Sequence, residues 1–130
     1  MLLHIDTLDT KPIYEQLRNQ IVIGIARRHL KTGDPLPSVR RLAADLGINF
    51  HTVNKSYAAL CDEGYINMDR RKGAVIANIQ GADADFSGGL AQRLVLNAAE
   101  AVCHGISDAE FAQMCAAAYQ NAVSCEKEEE

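Results

Sequence analysis

Apolar residues recur every four positions from Ile13 through Leu17 and Ile21 to Ile25. That spacing predicts one buried face of a helix running from Lys11 to Leu30. Pro12 suits its first turn, where a missing N–H has no helical partner to lose. Arg27, Arg28, His29 and Lys31 fall where they complement the negative end of the helix dipole. Gly33-Asp34-Pro35 then predicts the stop. Ser38 is a natural N-cap, and behind it Val39, Leu42, Ala43 and Leu46 repeat at i, i+3, i+4 and i+7. Gly47 stands where a left-handed C-cap belongs. Only Ile48 separates it from Asn49, a second N-cap. A third helix is expected from there to about Glu63, burying Val53, Ser56, Tyr57 and Leu60 and stopping at Gly64. Two short helices joined by so tight a glycine-containing turn form a helix-turn-helix pattern.

The period then changes. Tyr65 to Met68 alternates like a strand, Arg70-Arg71-Lys72-Gly73 reads as a turn, and Ala74 to Ile79 alternates again with Val75, Ala77 and Ile79 on one side. A β-hairpin with a basic tip follows. Three helices and a hairpin in this order make a winged helix, expected to fill residues 1–80. Residues 81–89, rich in Gly, Asp and Ser, have the composition of a linker. A helical hairpin is expected over 90–124, with a first helix from Leu90 to His104 ended by Gly105. Ser107 and Glu110 make a capping box for the second, which carries Phe111, Met114, Cys115, Ala118 and Ala122 on one stripe. An acidic tail over 125–130 completes a fold that is mostly α with a small β-hairpin: a winged helix-turn-helix followed by a two-helix dimerisation hairpin.

Composition narrows the class. The 130 residues are 48% hydrophobic and 23% charged, a foldable rather than disordered mixture. No apolar run approaches ~18 residues, which argues against a membrane span. The first residues, MLLHIDTLD, lack the basic flank and apolar stretch of a secretory signal, so a cytoplasmic protein is expected. The net charge of −4 hides an asymmetry. Residues 1–80 carry 11 Lys/Arg against 8 acids, net +3, and residues 81–130 carry 2 against 9, net −7. A polyanion would approach the first part and be repelled by the second. Cys61, Cys103, Cys115 and Cys125 form no CxxC, and helical context suits free, mostly buried thiols. No HExxH, GxSxG or phosphate-binding loop occurs, and adjacent Cys103 and His104 diverge on a helix. The pattern therefore implies no enzyme, no cofactor and no metal site.

Candidate chemistry lies in the helix-turn-helix. A major groove admits one α-helix, whose N-terminal side chains meet base edges. Here Asn49, Phe50, His51, Thr52, Asn54 and Lys55 point outward while Val53, Ser56 and Tyr57 turn toward the other helices. Arg40 and Arg41, with their cap Ser38, are placed to reach the DNA backbone. Arg70, Arg71 and Lys72 repel one another at the hairpin tip, which favours an anionic partner, with contacts that are mostly sequence-independent.

The helical C-terminus is too short to bury a sizeable core alone. Leu90, Leu94, Ala98 and Ala101 form one stripe of its first helix, with Val95, Ala99 and Val102 on an adjacent side. An arc that wide needs more than one neighbour. A second copy of the chain is expected to cover it, because two-fold dimers are the commonest oligomers. The interface set is Leu90, Leu94, Val95, Ala98, Ala101, Val102, Phe111, Met114 and Ala118.

Several stretches together resemble the N-terminal domain of GntR-family transcriptional regulators over roughly residues 10–77. They are Pro12-Ile13-Tyr14-Glu15-Gln16-Leu17, the run from Gly33 to Ala43, the run from Thr52 to Leu60, and Glu63-Gly64-Tyr65-Ile66. The short helical C-terminus is similar to the YtrA-like branch, whose members dimerise through two helices. The resemblance implies that Arg40 reaches DNA from the second helix. It also places Asn49, His51, Thr52 and Asn54 at recognition-helix contact positions and Gly73 at the wing-tip glycine. The sequence departs from the family pattern at three points. Arg41 replaces a frequent Glu, Phe50 replaces a frequent Arg, and Ala74 follows Gly73 where a second glycine is usual nearby.

The expected function is a sequence-specific DNA-binding transcriptional regulator, a homodimer on an inverted-repeat operator, and by resemblance a repressor. Double-stranded DNA is the expected partner, and a small-molecule effector stays open. The alternatives are a redox-responsive regulator sensing through its C-terminal cysteines and a winged-helix adaptor for other proteins without DNA affinity.

Overall fold

The computed structural model describes residues 3–124. The expected acidic tail over 125–130, Cys125 included, lies outside the described residues. Five helices and one antiparallel hairpin follow in the order α1 (Ile13–Ala26), α2 (Val39–Leu46), α3 (Phe50–Asp62), β1 (Ile66–Asp69), β2 (Gly73–Ile76), α4 (Ala84–Cys103) and α5 (Asp108–Val123). The chain divides into two compact units, the first reaching Ile79 and the second spanning Gln80–Ser124.

The first unit is built around the stripes its sequence lays down. Leu17 and Ile21 of α1, Leu42 and Ala43 of α2, Val53, Tyr57 and Leu60 of α3, and Ile66, Ala74 and Ile76 of the hairpin are all buried in one cluster. Complete burial of a side chain such as Leu60 stabilises by about 1.5–3 kcal/mol. Ser56, also fully buried, escapes the penalty of an unpaired hydroxyl by donating to the Tyr14 carbonyl at 2.7 Å, which locks α3 onto α1. Gln16 of α1 is buried too. Its Oε1 accepts from the Asp6 N–H and its Nε2 donates to the Asp6 and Lys11 carbonyls, so it pins the segment ahead of the helix.

Two expectations about this unit need correction. α1 ends at Ala26, not near Leu30. Leu30 belongs to the core, so the chain must reverse before reaching it. Arg28 adopts φ 63°, and the His29 and Leu30 N–H groups both donate back to the Gly24 carbonyl. The four basic residues thus lie beyond the helix rather than in its last turn. The second strand ends at Ile76 rather than running on to Ile79: Ala74 and Ile76 are its buried residues, Ala77 just beyond it is buried too, and Ile79 is exposed. Ile66 pairs with Ile76 and Asp69 with Gly73. On its other edge, β2 is held by hydrogen bonds from Gly33 N–H to Ile76 O, Ile76 N–H to Asp34 O, and Leu36 N–H to Ala74 O. That second edge fixes which face turns inward, and alternation alone cannot reveal it.

The second unit is a helical hairpin turned at Gly105, φ 78°, where the Ile106 N–H donates to the Ala101 carbonyl at 2.9 Å. The expected linker over 81–89 is corrected here, because α4 begins at Ala84. The Asp83 carboxylate accepts from the Phe86 N–H and caps the helix, and Asp85 lies in its first turn. Gly88 and Gly89 are therefore helical, each at about 1 kcal/mol less favourable than Ala. The alanine- and leucine-rich remainder of the 20-residue helix offsets that cost. The expected capping box is present: Ser107 Oγ accepts from the Glu110 N–H, and Glu110 Oε1 accepts from the Ser107 N–H.

Candidate nucleic-acid interface

Helices α2 and α3 are set by two caps and one turn. Ser38 Oγ accepts from the Arg41 N–H at 3.1 Å and starts α2. Gly47 ends it at φ 69°, a conformation that a side chain makes costly. Ile48 leans on the core, and Asn49 Oδ1 accepts from the His51 N–H at 2.7 Å to start α3. Tyr57 closes the arrangement from inside. Its hydroxyl donates to the Pro37 carbonyl at 2.7 Å, and burial pushes its ionisation well above that of a free phenol.

These constraints leave Phe50, His51, Asn54 and Lys55 exposed along the first turns of α3, with Thr52 half-buried. Phe50 and Asn54, and likewise His51 and Lys55, are spaced i, i+4 and lie on neighbouring rows of one face. The Arg40 guanidinium lies over the Phe50 ring, 5.0 Å from its centroid, and the His51 ring lies 4.5 Å away on the same aromatic. The Lys55 ammonium sits 4.1 Å over the Tyr14 ring of α1. Arg41 reaches Asp45 one turn on, at 3.8 Å between two well-exposed groups, a contact worth little in water. Ser38 and Asn49 already serve as caps with the side chains that sequence reasoning assigned to DNA.

The wing has its own local logic. Asp69 Oδ1 accepts from the N–H groups of Arg71 at 2.7 Å and Lys72 at 3.0 Å. The Lys72 and Arg71 amides hold its carboxyl below the usual carboxylate range. Gly73 takes φ 76° and returns the chain into β2. Arg70, Arg71 and Lys72 are all exposed at the tip. Among the described residues no group of three His, Cys, Asp or Glu side chains is placed to hold a metal ion.

Sequence reasoning left three features of this unit out of the site. One is the Arg40–Phe50–His51 stack, which required the separation of α2 from α3 in space. Another is the Lys55–Tyr14 contact, between residues 41 positions apart. The third, Asp69, had a readable signal: an Asp two residues before a turn amide is the ordinary Asx-turn position.

The second unit carries a groove of about 700 Å³ between its helices. Leu94, Ala101, Phe111, Met114 and Ala118 line it together, and the polar Asn97, Glu100, His104 and Tyr119 are among its other lining residues. Leu90, Val95, Ala98 and Val102, expected in the same set, do not line it. Leu94, Val95, Val102 and Met114 are 43%, 68%, 73% and 54% exposed. Ala101 is 8% exposed. Leu96 and Tyr119, which lie off the stripes read from the sequence, are also more than half exposed. Cys61, Cys103 and Cys115 are free. The expectation of mostly buried thiols fails for Cys103 and Cys115, which are exposed. Cys61 is half-buried, and burial together with the Asp62 carboxylate pushes its thiol up.

A helix-turn-helix with an exposed polar reading face and a basic wing defines the class of winged helix-turn-helix proteins. Residues 10–76 match the model of the bacterial regulatory proteins of the gntR family, and the chain belongs to that family. It is 40% identical over 76 residues to the HTH-type transcriptional repressor YtrA of Bacillus subtilis, a stretch covering 58% of each protein. The crystal structure of a transcriptional antiterminator from Listeria monocytogenes has the same fold, with a TM-score of 0.90 and 24% identity over 100% of this chain and 98% of that one. YtrA from Sulfolobus acidocaldarius, a GntR-family transcription factor, is 36% identical with a TM-score of 0.61, over 74% of this chain and 99% of that one.

Proposed function

We propose that the protein is a sequence-specific transcription regulator, a repressor, that binds an inverted-repeat operator as a homodimer. The observation that carries this reading is the pair of exposed polar side chains His51 and Asn54 in the first turns of α3, near Arg40, on a unit whose hairpin tip presents three cations. Asn and His side chains can pair with base edges, whereas Arg40, Arg41, Lys55 and the wing cations suit phosphates. Repression is supported by the relative named a repressor. A regulator of this kind works on chromosomal DNA, hence in the cytoplasm.

Dimerisation is supported by the second unit. No residue of α5 is buried, and in α4 only Ala101 is. Leu90, Leu94, Val95, Leu96, Val102, Met114 and Tyr119 all stand in water in the isolated chain. Apolar exposure of this extent is characteristic of interaction surfaces. A two-fold pairing of hairpins would cover it and would set two α3 helices about 34–36 Å, or a multiple of that, apart along DNA.

The test is a fluorescence-anisotropy titration of a duplex enriched from a random pool, repeated over a salt series. Saturable binding of two chains per palindromic duplex, with log K falling linearly with log salt, is the expected result. Failure of any duplex to be enriched or bound at low salt would overturn the reading.

A further inference from the structure

Phe50 is an anomaly on the reading face. It opens α3 and is 37% exposed, among neighbours that are polar or charged. A large aromatic ring facing water forgoes the stabilisation of burial, and its position needs a partner to explain it. The ring is not loose. Arg40's guanidinium lies over it at 5.0 Å, and the His51 ring lies 4.5 Å away, tilted by 38°. These contacts orient the aromatic and still leave it 37% exposed.

In a major groove every base pair presents donors and acceptors, but only thymine presents an apolar group, its C5-methyl. A phenyl ring has no donor and no acceptor, so among the bases' groove edges it can discriminate in favour of that methyl alone. Asn54, one turn along on the same row, would address the hydrogen-bonding edge of a neighbouring base. Resting on the proposal that α3 enters a major groove, we infer that Phe50 is a specificity-determining residue for thymine. Its ring, oriented by Arg40 and His51, packs on the C5-methyl of one thymine in each half-site.

Replacing thymine by uracil removes only that methyl and leaves the hydrogen-bonding edge intact. The probe is the duplex enriched by the wild-type protein from a random pool, with each thymine exchanged in turn for deoxyuracil. Wild-type protein should lose about fourfold in affinity per half-site at one thymine position, the worth of burying about one methyl group. Phe50→Ala should bind the thymine and uracil duplexes equally, whereas Arg40→Ala, which leaves the ring less firmly oriented, should bind more weakly and show a reduced but not abolished preference. Indifference of the wild-type protein to uracil at every position would overturn the inference and requires no variant to fold. So would an undiminished preference in Phe50→Ala. Either result, obtained on a duplex that is bound and enriched, leaves DNA binding standing. If no duplex is enriched, DNA binding itself falls, and the assignment of Phe50 with it.

Discussion

The hydroxyl of Tyr57 donates to the carbonyl of Pro37 across 2.7 Å, joining the middle of α3 to the residue that precedes the α2 cap. One side chain thereby sets the entry to the helix-turn-helix from beneath. Tyr57→Phe keeps the ring in the core and removes this bond alone. It is expected to lower stability by about 0.5–1.5 kcal/mol in urea denaturation, with the slope of the transition unchanged. An unaltered midpoint would show that the bond does not hold α2 against α3.

The wing is expected to contribute charge rather than sequence preference. Arg71→Ala should reduce the magnitude of the log K against log salt slope by about one per chain. The preference for operator over random DNA should stay as it was. Equal slopes for two equally folded proteins would remove the wing tip from the interface.

Sequence patterning made most of the first unit legible. The spacing of Leu17, Ile21, Leu42, Val53 and Leu60 and the caps Ser38 and Asn49 predict its helices and part of its core, because a 3.6-residue period and a capping side chain are local properties. Features decided by distant partners were not legible. α1 stops at Ala26 because Leu30 must reach a core formed by other segments. The hairpin face is decided by the 33–36 segment beside β2. The stack of Arg40 on Phe50 joins residues of two helices, and no period within either helix predicts it. At Asp83 the opposite error arose. A Gly- and Asp-rich composition suggested a linker, although one carboxylate at an N-cap was enough to start a helix through two glycines.

The turn between α4 and α5 should respond to acid. The Ser107 amide, and then its hydroxyl, hold the Glu110 carboxyl below its ordinary value. A group depressed in the folded state contributes stability above its unfolded pKa of 4.5 and loses it as pH falls through the lower folded value. Thermal melts of wild type and Glu110→Ala should therefore differ at neutral pH and converge as pH drops below about 4.5. A difference that stays constant down to acid pH would mean that the carboxylate is not the stabilising form.

Assembly is expected to depend on the α4 face. Leu94 lines the interhelical groove and is 43% exposed in the single chain. Leu94→Glu would place an unpaired charge in a covered interface, at a cost that should yield monomers in sedimentation. A dimer unchanged by this substitution would put the interface elsewhere.

Base reading by α3 is tested most directly with Asn54→Ala, assayed on the selected operator and on random duplex at one salt concentration. Asn54 is exposed on the reading face, clear of the core, so the change should leave the fold intact. An amide paired with adenine should cost about 1–3 kcal/mol on the operator when it is lost. Much less should be lost on random DNA, where phosphate contacts remain. Equal losses on the two duplexes would contradict sequence reading by this residue and reduce it to a backbone contact.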